Sequence, residues 1–493
     1  MGAPTIPAFV RGETVWDDPV AFGGTGEACA FRAPDPVTLL DRLPLTDPLR
    51  MRDLAEVTTS DVVDYLAELG PRLRLSVNGF LREALEHSTA WSDMTPPVLA
   101  ACYEQLPSLF TPEAVRAVAE GTVGSRFLDG WQEVASPGGG TAAVRAVGAR
   151  AVHIIAGNNP IIAAITIIRN ALVRGDAVIK TPANDPLTAV AVARTMAETA
   201  PGHPLTRHLA VAYWKGGGAA AVEDRLYQPG NIDKIVAWGG LASVRHVTRY
   251  IQPGVELVTL DPKLSATIVG AEAFADEASM AETARLAAVD VGALNQLGCF
   301  NARVVHVVTG LDAAGLERAE HWGELLHREI LRLPAAVSTP ARWFDPELRA
   351  SLRALRTSPD WYRVIGGHDD EGAVVVSRVA EPVDFHTALS GRVANVVPVA
   401  SPRDALKAMN AYTQTVGVYP ESLKRRLRDL LPLYGVQRLV SLGYATRFRP
   451  DVPQDAMEPV RRMVKWIVDE SCSPGDVHPL GHLDRRAEPW GRS

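Results

Sequence analysis

Cys299 lies in a short connection between two segments whose residue patterns predict regular structure. In the upstream segment, apolar side chains recur at the spacing of a buried helix face, namely at Ala281, Ala284, Ala288, Val291 and Leu294. The downstream segment, 303–308, is rich in β-branched residues and predicts a strand. A thiol held between two rigid elements can present its sulfur to a bound substrate as a nucleophile. The alternative is a small buried apolar residue, which is what most free cysteines are.

The composition excludes several classes of protein. The chain has 493 residues and a mass of 53.0 kDa, so it is long enough for two or three domains. Its net charge is -7 with both signs interspersed, which leaves no long basic face for nucleic acid. The four cysteines, at positions 29, 102, 299 and 472, are too few and too far apart for a disulfide framework, and no CxxC or HExxH motif offers metal-ligand spacing. With no leader sequence and no uninterrupted apolar run of about 20 residues, we expect a soluble cytoplasmic protein without a membrane span.

The residue pattern predicts four parts along the chain. Residues 1–58 are rich in proline and glycine and are expected to wrap over the surface of the fold. Residues 59–262 combine a helical layer with a dinucleotide-binding domain, and Ser136–Gly140 marks a turn or linker between the two. Residues 263–445 form the catalytic domain that carries Cys299. Residues 446–493 form a C-terminal segment whose proline-rich end is expected either to be disordered or to clasp another subunit.

The dinucleotide-binding part alternates between short apolar strands and helices. Strands are predicted at 151–156, 177–180, 208–213, 234–237 and 255–260. A helix from Ile161 to Arg174 is expected to end at Gly175, and Asp185 is expected to cap the next helix with Pro186 at its first position. This alternation predicts a parallel sheet that is covered on both faces and binds ligands at the carboxyl ends of its strands. The glycines at 216–218 match a dinucleotide motif only weakly, and a tight turn explains them more simply.

Several short motifs occur in the order seen in the aldehyde dehydrogenase superfamily. They are Gly157-Asn158-Asn159-Pro160, Lys180-Thr181-Pro182, Trp238-Gly239-Gly240, Asp261-Pro262-Lys263-Leu264-Ser265 and Asn295-Gln296-Leu297-Gly298-Cys299. Three later motifs narrow the resemblance to the LuxC-type acyl-CoA reductases, namely Leu389-Ser390-Gly391-Arg392-Val393, Gln414-Thr415-Val416-Gly417-Val418 and the stretch from Gly435 to Gly443. The ordered set covers about residues 55–470 and is more specific than any one motif.

The resemblance implies an α/β protein of aldehyde dehydrogenase-like fold. It has a parallel-sheet cofactor domain, a second α/β domain that carries the nucleophilic cysteine, and an active site in the cleft between them. The reaction implied is reduction of an acyl thioester to an aldehyde, usually with NADPH. The chemistry of the residues agrees with this reaction, since the Cys299 thiolate can attack the thioester, release the thiol and hold the acyl group as an enzyme thioester that accepts hydride.

The tetrahedral intermediates of this reaction place negative charge on the former carbonyl oxygen, so hydrogen-bond donors must be aimed at that atom. Our candidates are the side-chain amide of Asn158, which matches the family's oxyanion asparagine, and the backbone N–H of Cys299. The alternative for Asn158 is a residue that only shapes the turn before Pro160, and this is our interpretation of Asn159.

The motif at Lys180 is a candidate for cofactor binding. Lys180, followed by Thr181 and Pro182, ends a predicted strand and is placed to meet the adenosine ribose or a phosphate of the dinucleotide. The alternative is a solvated lysine at a strand end. NAD-preferring members of the superfamily often carry a glutamate where this chain has Ala183, which leaves no negative charge against a 2′-phosphate. We therefore predict NADPH rather than NADH.

Trp238, Gly239 and Gly240 are a second candidate for cofactor binding. They follow a predicted strand and precede a helix, so the backbone at the two glycines can approach the cofactor pyrophosphate. A plain turn between strand and helix explains the glycines nearly as well.

One carboxylate bears on the direction of the reaction. In hydrolytic aldehyde dehydrogenases, a glutamate in the segment matching 258–263 activates the water that releases the acid. The nearest carboxylate in this chain is Asp261, whose shorter side chain makes it a doubtful general base. A missing base protects the thioester from water and favours reduction or exchange with a thiol.

We therefore predict an NADPH-dependent reductase of acyl thioesters, with fatty acyl-CoA as substrate and a homo-oligomer as its assembly. Three alternatives stay open: a reductase of acyl groups delivered by a carrier or an acyl-donating protein partner, an NAD(P)-dependent aldehyde dehydrogenase that forms acids, and a catalytically silent binding subunit. The chain departs from the family at Asn159, where the usual motif is Gly-Asn-Val-Pro. It departs again at Phe300-Asn301-Ala302, where small hydroxyl residues and a proline are usual. Both departures lie near the expected acyl site.

Overall fold

The computed structural model describes residues 3–23, 30–134 and 141–471, so Ser136–Gly140, Cys29, Cys472 and the end of the C-terminal segment lie outside the described residues. The strands are β1 (Ala8–Val10), β2 (Glu13–Val15), β3 (Pro19–Phe22), β4 (Phe31–Pro34), β5 (Gln132–Val134), β6 (Thr141–Gly148), β7 (Arg150–Ile154), β8 (Asp176–Lys180), β9 (Leu209–Ala212), β10 (Lys234–Trp238), β11 (Glu256–Leu260), β12 (Leu264–Val269), β13 (Ala302–Val307), β14 (Tyr362–Gly366), β15 (Ala373–Ser377), β16 (Val393–Pro398), β17 (Thr413–Tyr419), β18 (Arg438–Ser441) and β19 (Val464–Ser471).

The helices cover the strands and build a separate layer near the N-terminus. They are α1 (Arg52–Ala55), α2 (Thr59–Arg72), α3 (Gly79–Trp91), α4 (Pro96–Gln105), α5 (Pro112–Thr122), α6 (Ser125–Asp129), α7 (Ile161–Val173), α8 (Thr188–Thr199), α9 (Pro204–Arg207), α10 (Ala220–Leu226), α11 (Leu241–Thr248), α12 (Glu277–Gly292), α13 (Ala313–Leu331), α14 (Pro346–Leu355), α15 (Pro402–Leu406), α16 (Glu421–Leu427) and α17 (Pro459–Met463). No helix of the described stretches is long and apolar enough to cross a membrane.

The first sheet has seven strands in the order β11-β10-β7-β8-β9-β1-β2. The strands from β11 to β9 are parallel, and in their register Val152 lies opposite Val178 on one side and Ile235 on the other. Their apolar runs are buried because helices cover the faces of a parallel sheet. The carboxyl ends of these strands meet at one edge, which is where parallel sheets bind ligands.

N-terminal residues add to this sheet. β1 runs antiparallel to β9, with Phe9 opposite Val211, and β2 forms the edge. Phe9 and Phe31 are fully buried. The segment that we expected to lie over the surface therefore supplies two strands and two core aromatic residues, because even a three-residue apolar strand can pair with an open sheet edge.

Two helix ends differ from the expectation. α7 ends at Val173 and is closed by Arg174 rather than Gly175, since Arg174 itself adopts the left-handed conformation (φ 53°) that we expected of the glycine. The Arg174 guanidinium donates to the Leu128 carbonyl oxygen and to Thr59 Oγ1, both at 2.8 Å, and these bonds hold the residue in place. Asp185 does accept the Thr188 N–H at 3.1 Å, but α8 begins only at Thr188, so the proline at 186 precedes the helix.

The second sheet also has seven strands, in the order β14-β15-β16-β13-β12-β17-β18. All of its neighbours are parallel except β14, which pairs antiparallel with β15. β13 is the central strand, between β16 and β12. The connection that carries Cys299 enters β13, so the nucleophile candidate lies at the centre of this sheet rather than at its edge. A three-stranded sheet, β19-β6-β5, and the pair β3-β4 complete the fold.

Candidate active site

The loop that carries Cys299 has an unusual backbone. After α12 ends at Gly292, the consecutive residues Leu294, Asn295 and Gln296 adopt left-handed conformations, with φ of 54°, 55° and 64°. Residues with a side chain rarely adopt this region, and such strain persists only where surrounding contacts impose it. The nucleophile loop, residues 293–301, must therefore be held by its neighbours.

Three side chains of the loop itself provide these contacts. The Gln296 amide forms a pair of hydrogen bonds with the Val393 backbone, accepting its N–H at 2.9 Å and donating to its carbonyl oxygen at 2.8 Å. Asn301 Oδ1 accepts the Gly298 N–H at 2.9 Å. The Asn295 amide donates to Thr95 Oγ1, also at 2.9 Å, which joins the loop to the helical layer. In the sequence analysis Gln296 had no assigned role and Asn301 was a departure from the family. In the structure both side chains hold the loop in its conformation.

Asn158 lies against the nucleophile loop, as the sequence predicted. Its Nδ2 donates to the carbonyl oxygen of Leu297 at 2.9 Å, two residues before Cys299. A side-chain amide has two N–H bonds, so the second can still be donated to a substrate oxygen. Asn159 instead accepts the Ile161 N–H at 3.0 Å and so shapes the start of α7. The two neighbouring asparagines therefore have different surroundings, and only Asn158 reaches the loop of Cys299.

A cavity of about 380 Å³ opens beside Cys299. Its walls are mainly apolar and come from α7, the nucleophile loop and the segment 445–455, with Ile161, Ile162, Ile165, Leu294, Phe300 and Val452 among the lining residues. Phe448 and Val452 line the cavity and are each 37% exposed, so they mark its mouth. A cavity of this size with mainly apolar walls suits an apolar group.

The segment 445–455, which we call the covering segment, is held over the cavity by polar contacts. Asp290, buried on α12, accepts the N–H groups of Gly443 and Ala445, both at 2.9 Å. Arg438 donates to the carbonyl oxygens of Ala445 and Arg447, both at 2.7 Å. These contacts fix the start of the covering segment relative to the helix that leads into the nucleophile loop.

The far end of the covering segment reaches the cofactor-domain helix α7. Arg169, buried on α7, donates to the Gln454 side chain at 2.9 Å. Its guanidinium lies 5.8 Å from the centre of the Trp238 ring, which lines the same cavity. Both large sheets therefore contribute to the enclosure around Cys299.

The surroundings of Cys299 disfavour its thiolate. Burial raises the pKa of the Cys299 thiol, and the negative charge of Asp455 raises it further. The Gln414 amide and the positive charge of Arg303 act in the opposite direction but do not cancel the rise. Cys299 follows the C-terminal end of α12, so this helix offers the sulfur no N-terminus that would stabilise a thiolate. An attack by this thiol would require another group to take its proton.

Two residues at this site were missed by the sequence analysis. Gln414 Nε2 donates to Asp455 Oδ1 at 2.7 Å, and both side chains line the cavity with Cys299. Gln414 belonged to a recognised motif but had no assigned role. No sequence pattern indicated Asp455, since it lies in an irregular segment far along the chain. Only the fold brings it to the cavity of the thiol.

Asp261 is placed differently from Asp455. Its side chain is 41% exposed and lies 3.8 Å from Lys263 Nζ. It is not among the residues that line the cavity. The structure therefore puts a carboxyl group beside Cys299, but it comes from the covering segment and not from the motif in which a base was sought.

Lys180 lies in a crevice at the carboxyl edge of the first sheet. Its Nζ is 5.7 Å from the Trp214 ring and 5.9 Å from the Tyr213 ring. Burial lowers the pKa of Lys180 to about 8, and the more distant charge of Glu223 only partly opposes this. Within the described ranges no carboxylate lies within 4.0 Å of this ammonium group. A partly buried cation without an ion-pair partner fits an anionic ligand, so the crevice suits a dinucleotide phosphate.

The residues after Lys180 face different ways. Thr181 is buried and its hydroxyl group lies 3.4 Å from the Ala212 carbonyl oxygen, so its side chain is turned toward the sheet. Pro182 packs at Gly157, where a Cβ would come within 2.7 Å of the proline ring. Ala183 is half-buried against the core of the first sheet and α7.

The residues of the second predicted cofactor motif also lie in different surroundings. Trp238 ends β10 and lines the cavity of Cys299. Gly239 and Gly240 lead into α11, and open space lies beside Gly240. The glycines are therefore free to approach a ligand, while the tryptophan connects the cofactor edge with the catalytic cavity.

A protein-family model described as acyl-CoA reductase (LuxC) matches residues 54–466. The long-chain acyl-protein thioester reductase of Photobacterium phosphoreum is 27% identical over 364 residues, which cover 73% of this chain and 70% of the relative. The protein of the same description from Vibrio harveyi is 26% identical over 323 residues, covering 65% of this chain and 64% of the relative. The matched region thus spans less than two thirds of the Vibrio protein.

Solved structures of aldehyde dehydrogenases share the fold. An NADP-dependent glyceraldehyde-3-phosphate dehydrogenase from Bacillus halodurans C-125, complexed with NADP, superposes with a TM-score of 0.71 at 13% identity, over 95% of this chain and 99% of that one. An NAD-dependent benzaldehyde dehydrogenase from Corynebacterium glutamicum gives 0.68 at 15% identity, over 94% and 98%. The predicted α/β fold of aldehyde dehydrogenase type is confirmed, and at these identities the likeness concerns the fold alone.

Proposed function

The chain belongs to the LuxC family of acyl-CoA reductases, and on this premise we propose that it reduces a fatty acyl thioester to the aldehyde with NADPH, through an acyl group carried on Cys299. The observation that carries the proposal is that Cys299 lines a mainly apolar cavity of about 380 Å³. A thiol can take over an acyl group from a thioester by exchange, and an apolar cavity retains the acyl chain meanwhile.

Asn158 and the nucleophile loop support the attack on the carbonyl carbon. The bond from Asn158 Nδ2 to the Leu297 carbonyl oxygen sets the distance between this amide and the loop. The remaining N–H of the amide, together with the backbone N–H of Cys299, would stabilise the negative charge on the former carbonyl oxygen. The strained loop makes this arrangement rigid, so it does not need to be ordered during the reaction.

The crevice at the edge of the first sheet supports a nicotinamide cofactor. Lys180 would bind a phosphate, and Gly239 and Gly240 would allow the backbone to approach the pyrophosphate. Ala183 adds no negative charge against a 2′-phosphate, which favours NADPH over NADH. When bound, the reduced nicotinamide supplies the hydride that converts the enzyme thioester into the aldehyde.

An acyl group attached to a protein is a second candidate for the substrate. The curated relatives carry the description long-chain acyl-protein thioester reductase, which favours this form of donor. Cys299 would react with either thioester in the same way, since only the leaving thiol differs. A carrier or acyl-donating protein would then replace free CoA as the partner.

The proposal is tested by measuring NADPH oxidation that depends on acyl-CoA, with aldehyde identified as the product, for acyl chains of increasing length. The wild-type protein should consume one NADPH for each aldehyde formed, and Cys299→Ala should be inactive. Incubation with acyl-CoA and no cofactor should give a mass increase of one acyl group on the peptide that contains Cys299. Rapid formation of acid from aldehyde and NADP, with no activity on thioesters, would identify an acid-forming dehydrogenase instead. No reaction of either kind, with all cysteines reactive only after unfolding, would favour a binding subunit.

A further inference from the structure

Asp455 is a carboxyl group in the cavity of Cys299 that the reaction outlined above does not use. Its Oδ1 accepts a hydrogen bond from Gln414 Nε2 at 2.7 Å. The same amide favours the charged form of Cys299 and so opposes part of the rise in its pKa. Among the described residues, Asp455 is the only carboxylate that lines this cavity. The carboxyl group, the amide and the thiol thus line one cavity.

The thiol needs such a group because its surroundings raise its pKa and so disfavour the thiolate. The two guanidinium groups near Cys299 are both engaged elsewhere: Arg303 donates to the Leu389 carbonyl oxygen at 2.8 Å, and Arg438 holds the covering segment. Neither can accept a proton. Asn158 and Gln414 are amides and cannot accept one either. Asp455 is therefore the side chain of the lining that can take the thiol proton.

We propose that Asp455 is the general base and general acid of acyl transfer at Cys299. The Asp455 carboxylate removes the proton from Sγ, directly or through one water molecule, as Sγ bonds to the carbonyl carbon of the thioester. When the bond between that carbon and the departing sulfur breaks, the carboxyl group gives the proton to this sulfur. One thiol and one thioester are consumed and one of each is formed, so the step requires no oxidant or reductant. The role rests on the proposed function, because it needs a thioester substrate.

The charges around Asp455 suit this role. Burial raises the pKa of the Asp455 carboxyl group, and the nearby charge of Asp261 adds to the rise. The Gln414 hydrogen bond and the positive charges of Lys263 and Arg169 oppose it in part. A carboxyl group with a raised pKa can both accept and return a proton near neutral pH, which a fully stabilised carboxylate does poorly.

The backbone conformation of Asp455 allows its carboxyl group to be replaced by an amide without added strain. Asp455 is in the left-handed region, with φ of 53°, where aspartate and asparagine are tolerated better than most residues. Asp455→Asn keeps this tolerance, the shape of the side chain and an oxygen that can accept from Gln414. Asp455→Glu keeps the carboxyl group and serves as the conservative variant. Asp429→Asn, at a carboxylate that is 88% exposed in its side chain, is the matched control.

Two rates distinguish proton transfer from a structural role. The first is acylation of Cys299 by dodecanoyl-CoA without cofactor, followed by mass spectrometry of the intact protein. The second is alkylation of Cys299 by iodoacetamide, followed on its peptide as a function of pH. For Asp455→Asn at pH 7 we expect acylation to fall by about 10² or more. We expect alkylation to become faster and its pH midpoint to move down, since loss of the negative charge makes the thiol easier to ionise. Asp455→Glu should recover part of the acylation rate, and Asp429→Asn should match the wild type in both.

The outcomes separate this inference from the proposed function. If the wild type is not acylated at Cys299, the proposed function fails. If the wild type is acylated and Asp455→Asn is acylated within threefold of its rate, the inference alone is overturned. It is also overturned if both rates fall together, which indicates a distorted site. Unchanged acylation with slower hydrolysis of the acyl-enzyme would assign Asp455 to activation of water and would equally overturn it.

Discussion

The hydroxyl group of Ser265 donates a hydrogen bond of 2.7 Å to the carbonyl oxygen of Cys299. The same oxygen atom of Ser265 accepts the Thr415 N–H at 3.1 Å. β12 and β17 are thereby joined to the backbone of Cys299 through one side chain. Ser265 and Thr415 both belong to motifs that the sequence analysis recognised without assigning them a role.

Ser265→Ala should lower turnover more than it lowers stability. It leaves the Cys299 carbonyl and the Thr415 N–H without this partner, at a cost of about 1–3 kcal/mol, and it frees the loop to move. Because a displacement of about 1 Å can cost about 10² in rate, we expect kcat to fall by roughly that factor. Steady-state kinetics and urea denaturation measure the two effects. Ser351→Ala, whose hydroxyl group makes an exposed hydrogen bond on α14, should change neither turnover nor stability. Normal turnover in Ser265→Ala would show that the loop is held without the Ser265 bond.

Asn158→Asp should slow acylation of Cys299 while the fold is retained. The substitution replaces the donor to the Leu297 carbonyl oxygen with a carboxylate that repels an oxyanion. Loss of one such donor costs about 10² to 10³ in rate. The rate of acylation and the melting temperature should be compared with those of Asn410→Asp, at an exposed asparagine whose side-chain oxygen accepts the Tyr412 N–H. Equal acylation rates in the two variants would restrict Asn158 to a turn residue.

NADPH binding should weaken as the pH rises through 8. Burial lowers the pKa of Lys180 to about 8, so the free protein loses this positive charge above that pH. A bound phosphate favours the protonated lysine, so binding takes up a proton and the dissociation constant increases with pH above about 8. NADH, without the 2′-phosphate, should show a smaller change. Fluorescence titration at pH 6.5 to 9.5 measures both.

Lys180→Gln should remove this pH dependence and weaken NADPH binding by about tenfold or more, which corresponds to about 1.4 kcal/mol. Lys407→Gln, at a lysine that is 75% exposed in its side chain, is the control. A pH dependence that persists in Lys180→Gln would assign it to another group and leave Lys180 as a strand-end residue.

The contribution of Asp290 to stability should fall as the pH rises from about 4 to about 6. Burial raises the pKa of Asp290 to about 6, although the N–H groups of Ala445 and Gly443 oppose this. A folded-state pKa above the unfolded value means that the folded protein binds the proton more tightly, so stability is highest below the unfolded pKa and decreases up to the folded one. The free energy of unfolding of wild type minus that of Asp290→Asn should therefore decrease between pH 4 and 6 and stay constant above.

Asp290→Asn should also loosen the covering segment. Its amide must point one N–H toward a backbone N–H of Gly443 or Ala445, which leaves a buried donor unpaired at about 1–3 kcal/mol. Hydrogen exchange of residues 443–455 should become faster in this variant. Gly417 is close enough that a Cβ would lie 2.7 Å from Asp290 Oδ2, so Gly417→Ala should disturb the same contact. Unchanged exchange in both variants would show that the segment is held by Arg438 alone.

The mouth of the cavity should control the preference for acyl chain length. Val452 lines the cavity and is 37% exposed, so Val452→Trp narrows the mouth without overpacking the core. We expect KM for dodecanoyl-CoA to rise at least tenfold while KM for butanoyl-CoA changes little. Val77→Trp, at a valine that is 66% exposed, provides the control. Equal changes for both substrates would place the acyl chain elsewhere.

The sequence by itself determined the family and the fold class, and it singled out Cys299 as the candidate nucleophile. These follow from local and ordered signals: helical spacing before Cys299, a β-branched run after it, and short motifs in a fixed order. The family resemblance and the aldehyde dehydrogenase fold are confirmed by the match over residues 54–466 and by the solved structures. The placing of Asn158 against the nucleophile loop also agrees with the expectation, because both residues lie in recognised motifs.

The tertiary structure alone decided what surrounds the thiol. Asp455 lies in an irregular segment without periodicity, and its approach to Gln414 and Cys299 depends on how β17 and the covering segment pack. The left-handed residues of the nucleophile loop carry no glycine signal, since long-range bonds such as that from Gln296 to Val393 impose their conformation. The local pattern of residue types indicates which segments prefer helix, strand or turn. The proton acceptor and the rigidity of this site arise from contacts between residues distant in sequence, which no local pattern contains.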